Sequence, residues 1–323
     1  MTVKLGVVMD PIEDIKVHKD STFAMLLEAQ RRAWEIHYLQ PSDLFLRDSA
    51  VMGHTTRITV QDDPAHWFEP GDCVTRDLSE LDVILMRKDP PFDMEYIFTT
   101  FLLERVQQAG TLVVNHPFSL RNANEKLSAT RFAQCIVPFV VSRNRQALEH
   151  FIDEHEETVI KPLDGMAGDS VFRIWHDDPN RNVILETATQ CGARTVMAQK
   201  LIADYRKGDK RILLIGGKPV PYALVRVPVQ GELRANLDKG GLPKSAALTE
   251  RDKWICEQVR PELIAMQIDF AGIDVIGDFL TEINITSPTG IRELDRMCGL
   301  NIAAILFDTI EQRLGHQPRP DAP

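Results

Sequence analysis

The spacing of apolar residues predicts strands that alternate with helices over the first 115 positions. Short, continuously apolar runs predict buried strands at 3–9, 36–39, 82–86 and 111–114. Apolar residues recur every three or four positions after Asp20 and Ser21, either of which can cap a helix, and again over about 94–109, so helices are predicted there. Residues 40–81 are polar and irregular, with one strand candidate at 58–60. Strands that alternate with helices are typical of a parallel sheet, so we predict an α/β domain.

The pattern changes beyond about residue 116. Polar helices are predicted at 119–134 and 146–155, and strands dominate from 158 to 227. Successive strands with few helices between them are typical of antiparallel α+β structure. We therefore predict a boundary near residue 122, with an α/β domain over 1–122 and an α+β domain over 123–315.

The last part of the chain begins with a polar segment, 228–247, that is rich in Gly and Pro and has no periodicity. A structureless loop of that length is often functional. A helix is predicted at 249–266, a strand hairpin within 269–292, and a last helix over roughly 298–314. The polar, Pro-containing tail at 316–323 is predicted to be disordered.

Three oxygen-bearing residues interrupt the apolar pattern of that hairpin: Asp274, Glu282 and Asn284. Acids in such a run are costly to bury without a partner, and Mg²⁺ takes oxygen ligands of this kind. A two-residue turn at 277–278 would put Asp274 opposite Thr281. A longer loop, with a bulge, would put Asp274 opposite Glu282, and Asn284 would share that face. The pattern leaves two interpretations, a metal site or an ordinary hairpin with one polar face.

Composition and charge narrow the function classes. The chain has 323 residues, 44% of them hydrophobic, and a formal charge of −10, which argues against a general nucleic-acid or membrane-surface binder. Its five cysteines are scattered without CxxC or His/Cys metal spacing, so reduced thiols are expected. The sequence shows no signal-peptide core and no apolar run long enough to span a bilayer, so a cytoplasmic protein is expected.

Basic residues beside glycines or at strand ends are candidates for binding anions. Lys161 ends an apolar strand, and the glycine-containing segment 165–168 that follows would let backbone N–H groups approach a phosphate, unless it is a plain β-turn. Lys126 is either a second phosphate contact or a solvated helix residue. Arg87 and Lys88 end a strand of the first domain, where open α/β sheets bind ligands, or they form a solvated basic turn.

Four arginines have two interpretations each. Arg211 and Arg226 lie in apolar strands, where an arginine needs either a bound anion or a salt bridge. Arg234, in the long polar loop, is either a solvated charge or a residue that a lid delivers to the site. Arg292 either binds a carboxylate or pairs with a neighbouring acid. No GxSxG motif and no cysteine in a nucleophile context accompanies these charges.

A set of short motifs runs in order from residue 3 to about 313. They are KLGVVMDPI, STFAMLLEAQRR, DVILMRKDPPFD, NEKL, KPLDGMAG, GDKR, PVPYALVR, GIDVIGDFLTEIN and SPTGIRE. Each alone is weak, but the ordered set is specific, and it resembles bacterial glutathione synthetases, a family of ATP-grasp ligases. The resemblance implies an N-terminal α/β domain with a parallel sheet, followed by an ATP-grasp fold with antiparallel sheets.

The resemblance also implies a reaction. ATP phosphorylates the cysteinyl carboxylate of γ-glutamylcysteine, and the amine of glycine attacks the acyl phosphate to give glutathione, ADP and phosphate. Phosphoryl transfer asks the protein for positioning and charge neutralisation more than for covalent chemistry. By the same resemblance we expect Mg²⁺ as the metal, with Mn²⁺ as an alternative, and a homo-oligomer, commonly a tetramer.

The resemblance assigns roles to particular residues. The expected metal ligands are Asp274, Glu282 and Asn284. The expected nucleotide contacts are Lys126, Lys161, Asp209, the phosphate loop Gly165, Met166, Ala167 and Gly168, and the adenine-binding strand edge Gln199, Lys200, Leu201 and Ile202. The residues expected at the acyl phosphate are Arg211, Arg226 and Arg234, the last in a lid over 228–242. The expected dipeptide or glycine site includes Asp10, Arg87, Lys88, Ser287 and Arg292.

The chain departs from the family's pattern at a few positions. Ala167 stands where a third glycine is usual, and it would be strained if that position needs a positive φ. In the lid, Leu233 and Ala235 replace smaller or polar residues. Gly290 stands where a cysteine is familiar, and Lys-Leu replaces an Asn-Tyr pair at 200–201. None of these removes an expected metal ligand or basic group, so we expect an active enzyme.

Two rival functions remain at this point. One is an ATP-grasp ligase that joins an amino acid to a different peptide or to a protein C-terminus. The other is a non-catalytic nucleotide-binding protein on the same scaffold, since a fold by itself does not fix a function. The complete set of predicted metal ligands favours an enzyme.

Overall fold

The computed structural model describes residues 2–165, 168–229 and 242–316, and the strands in these ranges form three sheets. The strands of the first sheet are β1 (Lys4–Val8), β2 (Glu35–Leu39), β3 (Leu44–Arg47), β4 (Ala50–Val60), β5 (Phe68–Asp77), β6 (Val83–Met86) and β7 (Leu112–Val114). The helices that accompany them are α1 (Ser21–Arg31) and α2 (Met94–Gln108). The sheet order is β3-β4-β2-β1-β6-β7, with β5 paired to β4.

The centre of the first sheet is parallel, as predicted. β1 pairs in parallel with β2 and β6, and β6 pairs in parallel with β7. The first helix begins where the sequence indicates, because the carboxylate of Asp20 accepts a hydrogen bond from the N–H of Phe23 at 2.6 Å. The parallel strands are almost fully buried, which explains why they appear in the sequence as continuous apolar runs.

The prediction of mostly irregular structure over 40–81 was wrong. That stretch holds β3, β4 and β5, which extend the sheet with antiparallel pairs. The inward positions of β4 include Gly53 and Thr55, and the pairing of β4 with β5 shifts register between Thr56 and Ile58. The alternation of apolar and polar residues along β4 is therefore interrupted twice, by these two inward residues and by the register shift. β5 is exposed along most of its length, so it has no buried face for a hydrophobic pattern to mark.

The second sheet is antiparallel and lies within the predicted α+β part. Its strands are β8 (Phe139–Ser142), β9 (Glu157–Pro162), β10 (Phe172–Trp175) and β11 (Val196–Lys200), in the order β10-β9-β11-β8. The elements between the first and second sheets, and those packed on the second, are α3 (Pro117–Asn122), α4 (Glu125–Ala129), α5 (Arg145–Glu154) and α6 (Arg181–Thr189). Leu148 of α5, Leu185 of α6 and Ile160 of β9 share one small core.

The third sheet contains the predicted hairpin. Its strands are β12 (Asp209–Ile215), β13 (Lys218–Pro219), β14 (Tyr222–Val227), β15 (Leu242–Ala247), β16 (Phe270–Ile276) and β17 (Phe279–Asn284). The order is β15-β14-β12-β16-β17, and β13 pairs with β12. The remaining helices of the described ranges are α7 (Glu250–Ala265), α8 (Ile291–Cys298) and α9 (Ile302–His316).

Two helix predictions need correction. The single helix expected over 119–134 is two short helices, because the side chain of Asn124 accepts hydrogen bonds from the N–H groups of Lys126 and Leu127 and starts α4 afresh. The last helix was placed too early, because residue 298 still belongs to α8, whose C-cap Gly299 has a φ of 65°. α9 then begins at Ile302.

The length and hydrophobicity of the described helices bear on whether they could cross a membrane. None of them has the combination of length and hydrophobicity that a bilayer crossing requires. The disordered tail predicted for 316–323 lies outside the described residues apart from its first position, the last residue of α9. The domain limits at 122 and 315 stay predictions, and the larger cores combine residues from both sides of residue 122.

Asn115 joins the first sheet to the third. Its Nδ2 donates to the carbonyl oxygens of Phe270 at 2.7 Å and Ile285 at 2.8 Å. Its Oδ1 accepts from the N–H groups of Asp269 and Phe270, each at 2.9 Å. One buried side chain thus satisfies four backbone groups at the start of β16 and just after β17, which fixes both ends of the hairpin relative to β7.

We expect Asn115→Ala to destabilise the fold by at least about 2 kcal/mol, because it leaves several buried backbone groups without partners. The free energy of unfolding from urea denaturation measures this. Asn122→Ala is the matched control, since Asn122 is exposed and its side chain donates to the carbonyl oxygen of Phe118, one helical turn away. Equal stability of the two variants would contradict the role of Asn115.

Candidate active site

The hairpin of β16 and β17 contains the bulge that a metal site would require. Asp274 lies opposite Glu282, and Gly272 lies opposite Asn284. The strands then shift register, so that Val275 pairs with Leu280. The turn itself is short, and Thr281 is the extra residue, whose hydroxyl donates to the carbonyl oxygen of Asp274 at 3.0 Å. The pairing is the one predicted for the longer loop, but it is produced by a two-residue turn with a bulge.

A cavity of about 320 Å³ lies between the second and third sheets, and most of the predicted nucleotide and metal residues line it. The predicted residues that line this first cavity are Lys126, Lys161, Gly165, Gly168, Gln199, Lys200, Leu201, Ile202, Asp209, Arg211, Arg226, Asp274, Glu282, Asn284 and Ser287. Residues separated by up to about 160 positions thus converge on one space. Met166, Ala167 and Arg234 lie outside the described residues, as does most of the predicted lid.

Four charged side chains, three of them buried, form a cluster at one wall of this cavity. Arg211 makes a bidentate pair with Asp274, with both N–O distances at 2.7 Å. Arg226 makes a bidentate pair with Asp209 at 2.6 and 2.8 Å, and its Nη2 is also 3.0 Å from Asp274 Oδ2. For both arginines the salt-bridge interpretation is confirmed, and the geometry is that of strong charge-assisted hydrogen bonds.

The electrostatics of this cluster follow from burial and pairing. Burial acts to raise the pKa of Asp274, but the guanidinium groups of Arg211 and Arg226 outweigh it and hold that pKa well below its usual range. Burial and the neighbouring charge of Asp274 raise the pKa of Asp209. The two acids and two arginines compensate one another, so the cluster keeps an ionised carboxylate at the cavity wall.

The donor set at the hairpin suits a hard cation. Asp274 and Glu282 offer carboxylate oxygens, and Asn284 offers an amide oxygen while its Nδ2 donates to Asp274 Oδ2 at 3.2 Å. Within the described residues, no group of three or more His, Cys, Asp or Glu side chains is arranged to hold a metal alone. Two carboxylates completed by substrate phosphates are the usual set for Mg²⁺. The residues present therefore fit Mg²⁺ that binds together with a nucleotide.

Two buried lysines face the same space. Lys126 donates to the carbonyl oxygen of Gly165 at 2.7 Å, and its Nζ is 3.5 Å from Glu282. Lys161 is only 6% exposed, the hydrogen bond from its Nζ to the carbonyl oxygen of Thr281 is long at 3.4 Å, and it forms no ion pair with a described carboxylate. Burial lowers the pKa of Lys161. An under-compensated ammonium beside the glycine-containing segment is suited to bind phosphate.

Glu125 is a site residue that sequence reasoning missed. Its Oε1 accepts hydrogen bonds from the N–H groups of Ile285 and Thr286 at 3.0 and 3.3 Å, and from the Thr286 hydroxyl at 2.9 Å. Burial, reinforced by the negative charge of Glu282, raises the pKa of Glu125. The carboxylate holds the segment after β17 against α4. Its position inside the motif NEKL, next to Lys126, was the available signal.

A second cavity, of about 280 Å³, lies at the carboxyl ends of the parallel strands. Asp10 and Arg87 line it, and Asp89, Arg226 and Thr289 line both cavities, so the two spaces adjoin. The residues of this second cavity that sequence reasoning missed include Asp14, Lys16, Lys19, Asp20, Thr22 and Glu293. The rule that ligands bind beyond the carboxyl ends of parallel strands, applied to β1 as it was to β6, would have found the first five.

The other predicted substrate residues differ in position. Ser287 lines the first cavity and donates to the carbonyl oxygen of Arg87 at 3.3 Å. Lys88 pairs with Asp10 at 2.8 Å and is not among the residues that line either cavity. Arg292 donates to both carboxylate oxygens of Asp62, at 2.7 and 2.9 Å, and also lies away from both cavities.

Comparison with known proteins identifies the family. The family model of the prokaryotic glutathione synthetase N-terminal domain matches residues 3–121, and that of the ATP-grasp domain matches residues 125–299. Glutathione synthetase of Pseudomonas syringae pv. tomato is 50% identical over 314 residues, which cover 97% of this chain and 98% of the relative. That of Coxiella burnetii is 48% identical over 313 residues, with 97% and 98% covered.

Solved structures of lower sequence identity share the fold. D-cycloserine synthetase DcsG superposes with a TM-score of 0.68 at 14% identity, covering 96% of this chain and 99% of that one. The ATP-grasp ligase PsnB, complexed with its precursor peptide and AMPPNP, superposes with a TM-score of 0.62 at 15% identity, covering 98% and 99%. These likenesses confirm the predicted fold class. The chain belongs to the prokaryotic glutathione synthetase family and is an ATP-dependent ligase whose product is glutathione.

Proposed function

We propose that the chain joins γ-glutamylcysteine to glycine through an acyl phosphate, with ATP and Mg²⁺ in the first cavity and the dipeptide in the second. The observation that carries this is the under-compensated ammonium of Lys161 facing the Asp274/Glu282/Asn284 set across one cavity. A buried cation that forms no ion pair with a described carboxylate, together with an oxygen-rich wall, complements the phosphates and the metal of a nucleotide.

The nucleotide phosphates contact Lys126, Lys161 and the backbone of the segment that holds Gly165 and Gly168. The adenine packs at the edge of β11, where Gln199, Lys200, Leu201 and Ile202 line the cavity. Asp209 is the further nucleotide contact expected from the family. The backbone groups of 199–202 supply the hydrogen bonds, so the Lys-Leu pair at 200–201 is compatible with this role.

Mg²⁺ bound by Asp274, Glu282 and Asn284 would neutralise phosphate charge and align the transferred group, which is the usual metal contribution to phosphoryl transfer. The protein's own residues do the rest. Arg211 and Arg226 place positive charge beside Asp274, where the carboxylate of the dipeptide meets the terminal phosphate. Preorganised positive charge stabilises the acyl phosphate as it forms.

The dipeptide enters from the second cavity, because Arg226 lines both spaces and marks their junction. Asp10, Arg87 and Ser287 are the contacts we assign to it, and Lys88 supports Asp10 through their ion pair. Glycine attacks from the side that the lid at 228–242 would cover. The lid, with Arg234, would exclude water that hydrolyses the acyl phosphate. By the family resemblance alone, we further propose a cytoplasmic homo-tetramer.

The test of the reaction is ADP release with Mg²⁺-ATP, γ-glutamylcysteine and glycine, each omitted in turn, with mass detection of the product. We expect ADP formation to require both substrates and to yield glutathione. Dipeptide-dependent ADP release without tripeptide would reopen the acceptor and favour a ligase with another nucleophile. ADP release under no combination would favour a non-catalytic nucleotide-binding protein.

The Lys161→Met variant tests the role of Lys161 in nucleotide binding separately from its effect on stability. The substitution removes a poorly compensated buried charge, so we expect an equal or higher melting temperature. We also expect the Kd for a non-hydrolysable ATP analogue to rise roughly ten- to a hundredfold, the usual worth of a charge-assisted hydrogen bond. Calorimetric titration measures the Kd. Lys218→Met, at an exposed position of β13, is the control, and equal Kd values for both variants would contradict the role of Lys161.

Glu282→Gln tests the metal assignment. The amide keeps the size of the side chain but removes one negative charge, so we expect kcat to fall at least about a hundredfold while the melting temperature changes little. The dependence of the rate on Mg²⁺ concentration should shift to higher concentration. Glu257→Gln, an exposed position of α7, controls for loss of charge as such. Activity near the wild-type value would rule out Glu282 as a ligand.

A further inference from the structure

Helix α2 is apolar on two of its sides, and the described part of the chain covers only one of them. Tyr96 and Leu103 are buried in the core. Met94, Phe98 and Phe101 recur at the spacing of one helical turn on the outer side, and they are 49% to 55% exposed. A helix that packs only on a core normally has a polar outer side. The outer side of α2 therefore has the composition of a surface that packs against a partner.

Helix α3 extends this outer surface with another aromatic ring. Phe118 is 51% exposed. Arg121 lies between the helices, with its Cζ 4.4 Å from the centre of the Phe101 ring and 5.3 Å from that of the Phe118 ring. Arg121 also pairs with Glu104 at 2.6 Å, so its charge is compensated within the chain. We define the α2/α3 patch as Met94, Phe98, Phe101 and Phe118.

The patch has the size and composition of an interface centre. Four large side chains that are half exposed present roughly 400 Å² of apolar surface, and a patch of that size on a monomer is often a contact site. A standard interface of roughly 800 Å² per partner has an apolar centre surrounded by polar groups. Phe, Met and Arg are the kinds of residue that interfaces favour, and the α2/α3 patch consists of the first two beside Arg121.

Two opposite charges accompany the patch along α2. Glu95 lies in the first turn of the helix and Arg105 in its last turn, and both are exposed. Neither side chain forms an ion pair or a hydrogen bond with another described residue. They are separated by ten positions, which is about 15 Å along a helix, so they cannot pair with each other within one chain.

A second copy of α2 that runs antiparallel to the first would bring these charges together. In a two-fold symmetric contact, residue i meets residue j and residue j meets residue i. If the axis passes between Phe98 and Phe101, Phe98 of one copy meets the partner's Phe101, and Glu95 reaches the level of the partner's Arg105. Aromatic rings then fill the centre, and one ion pair lies at each end. This complementarity of the patch with itself favours a second copy over an unrelated protein.

We infer that two copies of this chain associate through the α2/α3 patch, with α2 antiparallel to α2 and Glu95 paired with the partner's Arg105. The inference rests on the homo-oligomer of the proposed function and names the surface that forms it. A two-fold contact gives a dimer by itself or one of the contacts of a tetramer. No residue of the patch lines either cavity, so the contact uses none of the proposed substrate or nucleotide residues.

The test exchanges the two charges. Glu95→Arg places like charges at both ends of the contact, and Arg105→Glu does the same with the opposite sign. We expect either variant to raise the dissociation constant of the contact at least about tenfold. The double variant Glu95→Arg/Arg105→Glu restores opposite charges across the two-fold axis and should recover most of the wild-type affinity. Sedimentation equilibrium over a concentration series measures the constant.

Recovery in the double variant separates the contact from a second role of these charges. Glu95 near the start of α2 and Arg105 near its end also favour the helix dipole. If that were their only role, the two reversals would add within one chain, and the double variant would have the lowest melting temperature with no gain in association. Because Glu95 and Arg105 cannot pair within one chain, recovery requires a second copy. A double variant that associates no better than the single ones would overturn the inference.

Phe98→Asp tests the apolar centre independently of the charge exchange. A carboxylate there has no cation to meet, so we expect the molar mass at micromolar concentration to fall to half the wild-type value, because a two-fold contact joins copies in pairs. Val183→Asp is the control for an acid at an exposed apolar position, since Val183 of α6 is 62% exposed, and it should keep the wild-type mass. Equal masses for Phe98→Asp and the wild-type protein would overturn the inference.

Failure of the proposed oligomer would give a different result from failure of this inference. A wild-type protein that stays monomeric over the concentration series would remove both, and would leave the patch to a different protein. A wild-type oligomer that Glu95→Arg, Arg105→Glu and Phe98→Asp all leave intact would overturn only the inference. Formation of glutathione by the wild-type protein is measured separately and depends on neither.

Discussion

The buried carboxylate of Asp274 sets the register of three strands. It lies opposite Arg211 across β16 and β12, and Asp209 lies opposite Arg226 across β12 and β14. A shift of one residue in either pairing would turn a charge to the other face of the sheet and leave its partner buried alone. Because that penalty is large, the ion pairs contribute, together with apolar packing, to specifying the alignment of β14, β12 and β16. This alignment determines the geometry of the cavity wall.

The bulge adds a second constraint to the same strand. Without Thr281 as the extra residue, Glu282 would point away from Asp274, and the two carboxylates could not share a ligand. The hydroxyl of Thr281 bonds to the carbonyl oxygen of Asp274, which stabilises the irregular pairing at the place where the site needs it. Local irregularity in this hairpin is therefore part of the site.

Much of this arrangement could be predicted from the chain, and the limits have physical causes. The parallel strands and the hairpin could be predicted because burial gives their residues a recognisable apolar pattern. The sequence did not decide between a hairpin with regular pairing and one with a bulge, because both are compatible with Gly and Asp at 277–278. Glu125 escaped notice because its partners, Ile285 and Thr286, lie about 160 positions away, and a single acid beside a lysine has no distinguishing context. β5 was invisible because pairing with β4, and not burial, holds it.

The arginines also show that the sequence alone does not decide between a structural role and a role in the site. The sequence allowed a salt bridge or a bound anion at both Arg211 and Arg226, and the structure shows that a salt bridge does not exclude a site. Both residues are paired and both line the first cavity. Arg292 has a carboxylate partner too, but it lies away from both cavities. Whether such an arginine lines a cavity depends on the position and direction of its strand or helix, and these are known only from the fold.

Buried charges without an ionic partner among the described residues show which ligand charges the site favours. Lys161 in the first cavity and Arg87 in the second are buried without an ionic partner among the described residues, and each costs stability in the absence of ligand. A nucleotide or a dipeptide that supplies the missing opposite charge removes that cost, so part of the binding energy is the relief of a penalty already present in the fold. The cluster around Asp274 differs, because its two carboxylates and two guanidinium groups already compensate one another within the protein. The site therefore combines a wall whose charges are paired within the protein with separate charges that a ligand of opposite charge can compensate.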